Sequence, residues 1–232
     1  MVVEAEIGIG TEQNQDRKIR STDRPGGKSA GLNAIRWFSL GAIAGPILFD
    51  LAWIILGFLR RDYSSVSQTV SRLGVGLYGA FMNAAFILTG LLLIAGVIAV
   101  FQGFKRETGI IESRICTVIF LILPLGMIWS GIFTLNTPFH TAGAAVAIMV
   151  PMISFPIVGF VLFRIPGWRR FGTGLILSGP LTFFLLLGFT GSVFPSEMVI
   201  NRGISGLWQR AVMIEILAWY MALGWRGFRR LR

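Results

Sequence analysis

The stretch LYGAFMNAAFILTGLLLIAGVIAVF, residues 77–101, runs for 25 residues without a charged side chain. The hydrocarbon core of a bilayer is roughly 30 Å thick, and an α-helix of about 20 apolar residues crosses it. We therefore predict a transmembrane helix here. Five further runs of similar length and composition occupy residues 37–59, 115–135, 139–163, 171–194 and 207–225. The sequence thus predicts an all-α polytopic membrane protein, a bundle of six transmembrane helices.

The overall composition excludes a soluble globular protein. Of the 232 residues, 54% are hydrophobic and 14% are charged, whereas soluble domains are about 45–50% apolar and about 25% charged. The predicted spans contain only three charged side chains, those of Asp50, Arg210 and Glu215. Residues 1–33 are polar and lack periodicity, which predicts a disordered cytoplasmic tail. Residues 34–232 are then the six-helix transmembrane domain.

The distribution of basic residues predicts the orientation in the membrane. With six spans both termini share a side, and that side has 16 Lys and Arg residues against five on the other. Basic residues concentrate in cytoplasmic segments, so both termini are predicted to be cytoplasmic and the protein to lie in the cell membrane. The net charge of +10 is explained by this topology and by contact with anionic lipid. Membrane lipid is therefore the expected partner, and nucleic acid is not.

The cysteine and histidine content restricts the possible chemistry. The chain has one cysteine, Cys116, and one histidine, His140, so it can form neither an internal disulfide nor a Cys/His zinc cage. These two residues begin predicted spans at opposite faces of the membrane, which excludes a Cys–His nucleophilic pair. No metal or cofactor is expected.

The three charged residues within the spans need partners, because a charge at membrane depth usually faces a partner, the bundle interior or a water-filled cavity. Arg210 and Glu215 are five residues apart and do not share a helix face. Asp50 is the expected partner of Arg210 if the first and last spans are neighbours. Either such a pair only fixes the packing, or these residues line a polar cavity for a ligand or a proton.

The first outer loop, residues 63–74, contains two serines of interest, Ser67 and Ser71. Residues four apart share a helix face. Apolar residues also recur there at helical spacing, which predicts a short amphipathic helix lying on the membrane: Val66, Val70, Leu73 and Leu77. The segment is either a simple interfacial helix or a serine-lined site.

Three short motifs carry a resemblance to a known family. They are Tyr63-Ser64 with Ser67 and Ser71-Arg72-Leu73-Gly74, then Thr137-Pro138-Phe139-His140, then Gly206-Leu207-Trp208-Gln209-Arg210. Together they resemble the domain of unknown function 998 family of prokaryotic membrane proteins, over residues 37–225. The resemblance implies a six-helix membrane protein and brings no established activity. Members often have an acidic residue where Arg72 stands, so a carboxylate role at that position is not expected here.

All three motifs belong to the outer side by the charge count. Ser67, Ser71, His140 and Arg210 are therefore predicted to converge at the outer mouth of the bundle, with Asp50 and Glu215 beneath them as further ligand-binding candidates.

Three functions fit these residues. In a binding or transport module, Arg210 and His140 would hold a lipid head group or a small anionic solute. In a structural or partner-binding protein, the polar groups would only fix packing. In an intramembrane lipid-acting hydrolase or transferase, Ser67 or Ser71 would be the nucleophile, His140 the base and Asp50 the orienting acid. The sequence favours the first function over an enzyme and leaves the oligomeric state open.

Overall fold

The computed structural model describes residues 25–193 and 203–230, and all regular structure in these ranges is helical. Residues 25–34 and the described residues from Ile35 onwards belong to separate units. Residues 1–24 of the predicted tail lie outside the described residues, whereas residues 25–33, predicted as part of that tail, belong to the helix Pro25–Phe38. The helices are α1 (Pro25–Phe38), α2 (Gly41–Leu59), a 3₁₀ helix (Val70–Gly74), α3 (Gly79–Gly103), α4 (Lys105–Thr108), α5 (Ile110–Ile132), α6 (His140–Phe163), α7 (Arg169–Val193) and α8 (Ser205–Arg230).

Five helical segments in the described part of the chain are long and apolar enough to cross a membrane. They are Asn33–Leu59, Gly79–Gly103, Ile110–Ile132, His140–Phe163 and Arg169–Val193. These segments overlap the first five predicted spans, so the all-α class is confirmed, and their length and apolar composition suggest a membrane protein. The predicted sixth span lies within α8, which is 26 residues long but is not among the five. Its polar side chains, Gln209, Arg210 and Glu215, lower its hydropathy.

The helices pack as an antiparallel ring that follows the chain order. Helix α2 packs on α3, α3 on α5, α5 on α6, α6 on α7 and α7 on α8. Helix α8 also packs on α2 and α3, so the last helix closes the ring against the first.

Helix α8 is buried in the core through its aromatic residue Tyr220. This side chain is 1% exposed, and its hydroxyl donates a hydrogen bond of 2.8 Å to the carbonyl oxygen of Phe120 on α5. The rings of Phe120 and Phe155 stack beside it with centroids 5.4 Å apart. The final helix is therefore held by both apolar contacts and a hydrogen bond in the bundle interior.

The two ends of the bundle differ in their contacts. At one end, Nε of Arg36 donates to the carbonyl oxygen of Phe228 at 3.2 Å, so the start of the first long segment lies beside the end of α8. The opposite end contains the segment from Arg60 to Gly74, the start of α6 and the start of α8. We call this second end the loop end, and the candidate site lies there.

Candidate functional site

The segment between α2 and α3 folds into the bundle and does not lie on the membrane surface. Its regular part is the 3₁₀ helix Val70–Gly74. The side chains of Val70 and Leu73 are buried, at 1% and 0% exposure, while Val66 and Leu77 are exposed. The predicted amphipathic helix is therefore wrong, because two of its four apolar residues enter the core and a 3₁₀ turn replaces the α-helix.

Arg60 joins the beginning of this segment to its end. Its Nη1 donates to the carbonyl oxygens of Arg72 at 3.0 Å and Val75 at 2.7 Å. Its Nη2 pairs with a carboxylate oxygen of Asp62 at 2.6 Å. The hydrogen bond from Arg60 lowers the pKa of the exposed Asp62 carboxyl below its usual value. Arg60 thus stabilises the shape of the loop, and it does not line the cavity described below.

Arg210 fastens the loop to the first turns of α8. Its guanidinium donates to the carbonyl oxygens of Ser65 at 2.7 Å, Gln68 at 3.1 Å and Gly206 at 2.8 Å, and to the hydroxyl of Tyr63. The side chain is 5% exposed. A Cβ at Gly206 would lie 2.6 Å from the Ser65 carbonyl oxygen, so this approach requires glycine. Arg210 is therefore a structural anchor whose Nη1 and Nη2 are used by the protein itself, whereas its buried Nε has no partner among the described residues.

Tyr63 connects Arg210 to further backbone groups of the loop. Its hydroxyl accepts from Arg210 and lies 3.0 Å from the carbonyl oxygen of Thr69 and 3.1 Å from that of Gln68. Burial raises the pKa of the Tyr63 phenol, and the nearby Arg210 charge opposes this shift without cancelling it. The phenol therefore stays protonated and donates to the loop backbone.

Two further side-chain contacts join the loop to α8, beside the backbone hydrogen bond from Leu207 to the carbonyl oxygen of Val66 at 3.1 Å. The hydroxyl of Ser205 donates to the carbonyl oxygen of Ser67 at 2.8 Å. Oε1 of Gln209 accepts from the backbone N–H of Val70 at 2.6 Å. Loop and helix start thus form one hydrogen-bonded unit.

Asp50 and Arg210 do not form the expected pair, although α2 and α8 are neighbours. Among the described residues neither forms an ion pair. Oδ1 of Asp50 instead accepts from Nε1 of Trp53 at 2.9 Å, and the guanidinium of Arg210 lies over the same indole ring, 4.9 Å from its centroid. The indole therefore contacts both groups: its N–H donates to the Asp50 carboxyl, and its ring face lies against the Arg210 guanidinium.

Glu215 is also satisfied by neutral donors. Its Oε2 accepts from the Thr182 hydroxyl at 2.9 Å, and its Oε1 accepts from Nε1 of Trp219 at 3.0 Å. Thr182 lies on α7, so this carboxylate joins α7 to α8. Neither Glu215 nor Asp50 lines the cavity at the loop end. In the described ranges no cluster of three His, Cys, Asp or Glu side chains could hold a metal ion.

A cavity of about 330 Å³ opens at the loop end. It is bounded by α6, α7, the 3₁₀ segment and the first turn of α8. Its apolar wall includes Ile148, Leu186 and Phe189, and its polar groups include Ser71, His140 and Gln209.

His140 begins α6 and is 3% exposed. Its Nδ1 lies 2.7 Å from the carbonyl oxygen of Phe133. Because a carbonyl oxygen can only accept, Nδ1 carries a proton, and in the neutral form of the imidazole Nε2 is then the acceptor. This Nε2 has no hydrogen-bond partner among the residues that the structure describes.

Ser71 and Gln209 add two further unpaired groups to the cavity. The hydroxyl of Ser71 forms no hydrogen bond within the described ranges. Since Oε1 of Gln209 is held by Val70, its amide NH₂ is oriented as a donor, and it too has no partner there. These three residues supply one acceptor, one pair of donors and one hydroxyl, and three threonines also line the cavity: Thr69, Thr141 and Thr190.

The predicted site residues therefore fall into two groups. Ser71 and His140 line the cavity, whereas Arg210 is occupied by the loop backbone. Ser67 precedes the 3₁₀ helix, so it does not share a face with Ser71, and its hydroxyl is buried without a partner in the described part. No direct hydrogen bond joins His140 to either serine within that part.

Three residues of this region were not singled out from the sequence. Gln209 is an uncharged polar residue inside a predicted span, and it directly precedes Arg210. Trp53 follows Asp50 by three residues, which is the spacing of one helical turn. Tyr63 stands in the first motif but was considered only as part of it. For Gln209 the signal is a polar group next to Arg210, and for Trp53 it is an indole one helical turn from Asp50.

The family model described as "Protein of unknown function (DUF998)" matches residues 43–226. The chain belongs to the DUF998 family. The DUF998 match includes every residue of the candidate site. In this DUF998 chain the motif of the loop, residues 63–74, is hydrogen-bonded to the motif that opens α8, residues 206–210. His140, from the third motif, lines the cavity at the loop end together with Ser71 and Gln209. No curated protein and no solved structure matches the chain.

Proposed function

We propose that this DUF998 chain is an integral protein of the cell membrane with six transmembrane helices and both termini in the cytoplasm. We propose further that it binds an amphipathic ligand in the cavity at the loop end, as a binding or transport module. The oligomeric state is not part of this proposal.

The contacts of α8 support the sixth span. Arg210 is 5% exposed and uses its Nη1 and Nη2 on the loop, and Glu215 is hydrogen-bonded to Thr182 and Trp219. Polar groups that face protein partners are tolerated at membrane depth. The low hydropathy of α8 therefore reflects contacts inside the bundle.

The distribution of charge supports the orientation. Arg36, Lys105, Arg164 and Arg169 lie at the end of the bundle opposite the loop end. Basic residues favour the cytoplasmic face, so the loop end and its cavity would face outward.

The observation that carries the binding proposal is a cavity in which the buried Nε2 of His140 has no partner among the described residues, with Ser71, Gln209 and an apolar wall beside it. A polar group without a partner in a buried site costs about 1–3 kcal/mol. Such a site is stabilised by a ligand that supplies the missing hydrogen bonds and covers the apolar wall. Ser71, His140 and Gln209 are the proposed contact residues, and Asp50, Arg210 and Glu215 hold the surrounding helices and loop.

Native mass spectrometry of the chain, released from lipid nanodiscs, tests this proposal. We expect the unsubstituted chain to retain a bound lipid or small molecule, and Ser71→Ala and His140→Phe to retain it less. Ser67→Ala is the matched control, because Ser67 is the nearby serine whose hydroxyl lies outside the cavity lining. Equal retention by all four proteins would contradict a binding role for this cavity.

A further inference from the structure

We infer that the ligand of this cavity is a lipid with an uncharged, hydroxyl-bearing head group, an inference that rests on the proposed function. It follows from the hydrogen-bonding role that the structure assigns to each polar group of the cavity.

His140 requires a donor from the ligand. Its Nδ1–H is used on the Phe133 carbonyl oxygen at 2.7 Å, so the unpaired Nε2 accepts when the imidazole is in its neutral form. A ligand group without a proton, such as an ether oxygen, leaves this nitrogen unsatisfied.

Gln209 requires an acceptor from the ligand. Because its Oε1 is held by the Val70 N–H at 2.6 Å, the amide cannot exchange its two ends without losing that bond. Its NH₂ group remains as a donor. Ser71 can either donate or accept. A ligand hydroxyl both donates and accepts, so it can satisfy His140 and Gln209 together.

The charges around the cavity favour a neutral head group. None of the described residues that line it is Asp, Glu, Lys or Arg. The nearby guanidinium of Arg210 is already used on three carbonyl oxygens and the Tyr63 hydroxyl. A charged head group would therefore enter the cavity without a fixed counter-charge, which is unfavourable at low dielectric.

The apolar wall favours a lipid over a free polyol. Ile148, Leu186 and Phe189 face the cavity. Met149 also lines it and is 48% exposed on the bundle surface. An acyl chain can therefore cover this wall and continue into the membrane, whereas glycerol alone leaves the wall uncovered.

Binding to nanodiscs of phosphatidylcholine, whose head group has no hydrogen-bond donor, tests the inference. The chain is purified without sugar-based detergents, since these carry the same hydroxyl chemistry. Four probes are compared by native mass spectrometry: 1-monooleoylglycerol, its dimethyl ether, oleoyl lysophosphatidate, and glycerol. We expect monooleoylglycerol to be retained about tenfold more than its dimethyl ether, because the ether cannot donate to His140.

Two substitutions connect this preference to the cavity. Gln209→Glu preserves the acceptor for the Val70 N–H and replaces the amide donor, so we expect about tenfold weaker retention of monooleoylglycerol. Ser71→Ala is a second variant that does not touch the loop contacts, and Ser67→Ala is the control. Thermal unfolding of each variant establishes that it is folded.

The possible outcomes separate this inference from the proposed function. Preferential retention of lysophosphatidate would overturn the neutral head group and leave a ligand-binding cavity in place. Retention of glycerol as strong as that of monooleoylglycerol would overturn the lipid assignment. Retention of none of the four probes would overturn the inference, and the proposed function would then fail only if no endogenous ligand is retained either.

Discussion

The guanidinium of Arg210 lies over the indole ring of Trp53, 4.9 Å from its centroid. The same indole donates a hydrogen bond to Asp50, so two charges of opposite sign on neighbouring helices share one neutral ring. A desolvated cation over an aromatic ring is stabilised by about 2 kcal/mol. This contact, together with the loop carbonyls, replaces the counter-ion that a buried arginine usually needs.

Replacing Arg210 should detach the loop from α8. We expect Arg210→Met to lower the free energy of unfolding by about 3 kcal/mol, because several charge-assisted hydrogen bonds are lost together. Arg210→Lys should recover little of this, since an ammonium cannot donate to the same set of acceptors. Thermal unfolding in detergent measures the effect. Arg61→Met at an exposed position of the same segment is the control, and an equal loss in both Met variants would show that Arg210 is no anchor.

A double-mutant cycle distinguishes the indole bridge from a direct ion pair. We expect the coupling energy between Asp50→Asn and Arg210→Met to be below about 0.5 kcal/mol, because these residues share no direct contact. The coupling between Asp50→Leu, which removes the acceptor, and Trp53→Phe should be about 1 kcal/mol, the usual contribution of one hydrogen bond. Thermal unfolding of the single and double variants measures both. A larger coupling for the arginine pair would contradict the bridge.

The contact between Glu215 and Thr182 should stabilise the packing of α7 on α8. Thr182→Val keeps the side-chain shape and removes the donor, so we expect a loss of about 1–2 kcal/mol. Thr173→Val on the same helix is the matched control, because the Thr173 hydroxyl bonds only to the Arg169 carbonyl oxygen. Thermal unfolding again measures the difference. If the two valine variants were equally stable, the cross-helix bond would contribute nothing.

Labelling of single cysteines tests the proposed orientation. In a Cys116→Ala background, we expect a membrane-impermeant maleimide applied to intact cells to react with Arg61→Cys and Asn136→Cys. Arg164→Cys should react only after permeabilisation, because it lies at the end opposite the loop end. All three positions are exposed, so differences in burial do not explain a difference in labelling. The reverse pattern would place the cavity on the cytoplasmic side.

The helices could be predicted from the sequence because their signal is local. A long uncharged run contains all the information needed for a membrane-spanning helix, and the first five spans agree with the structure to within a few residues at nearly every boundary. The last helix is less apolar because its polar residues have partners elsewhere in the chain. A hydropathy average counts these residues as polar and takes no account of the partners that they contact.

The side-chain partners at the loop end could not be predicted in the same way. The spacing of Val66, Val70 and Leu73 favours an α-helix when the segment is considered alone, but contacts with α8 turn it into a 3₁₀ helix. Charge alone predicts a pair between Asp50 and Arg210. Trp53, one helical turn from Asp50, contacts both residues instead. The convergence of Ser71 and His140 at one cavity agrees with the motif order, whereas the roles of Gln209 and Tyr63 depend on distances.

The hydrogen bond from Arg210 to Ser65 joins residues 145 positions apart, and this separation has a consequence for biosynthesis. While the chain is inserted from its amino terminus, the loop after α2 emerges long before α8 has been translated. Its carbonyl groups then have only water as a partner, and the cavity has no completed wall. On the proposed function, ligand binding would therefore begin only after α8 is in place, and a chain truncated before Ser205 would lack the hydrogen bonds that hold the loop to this helix.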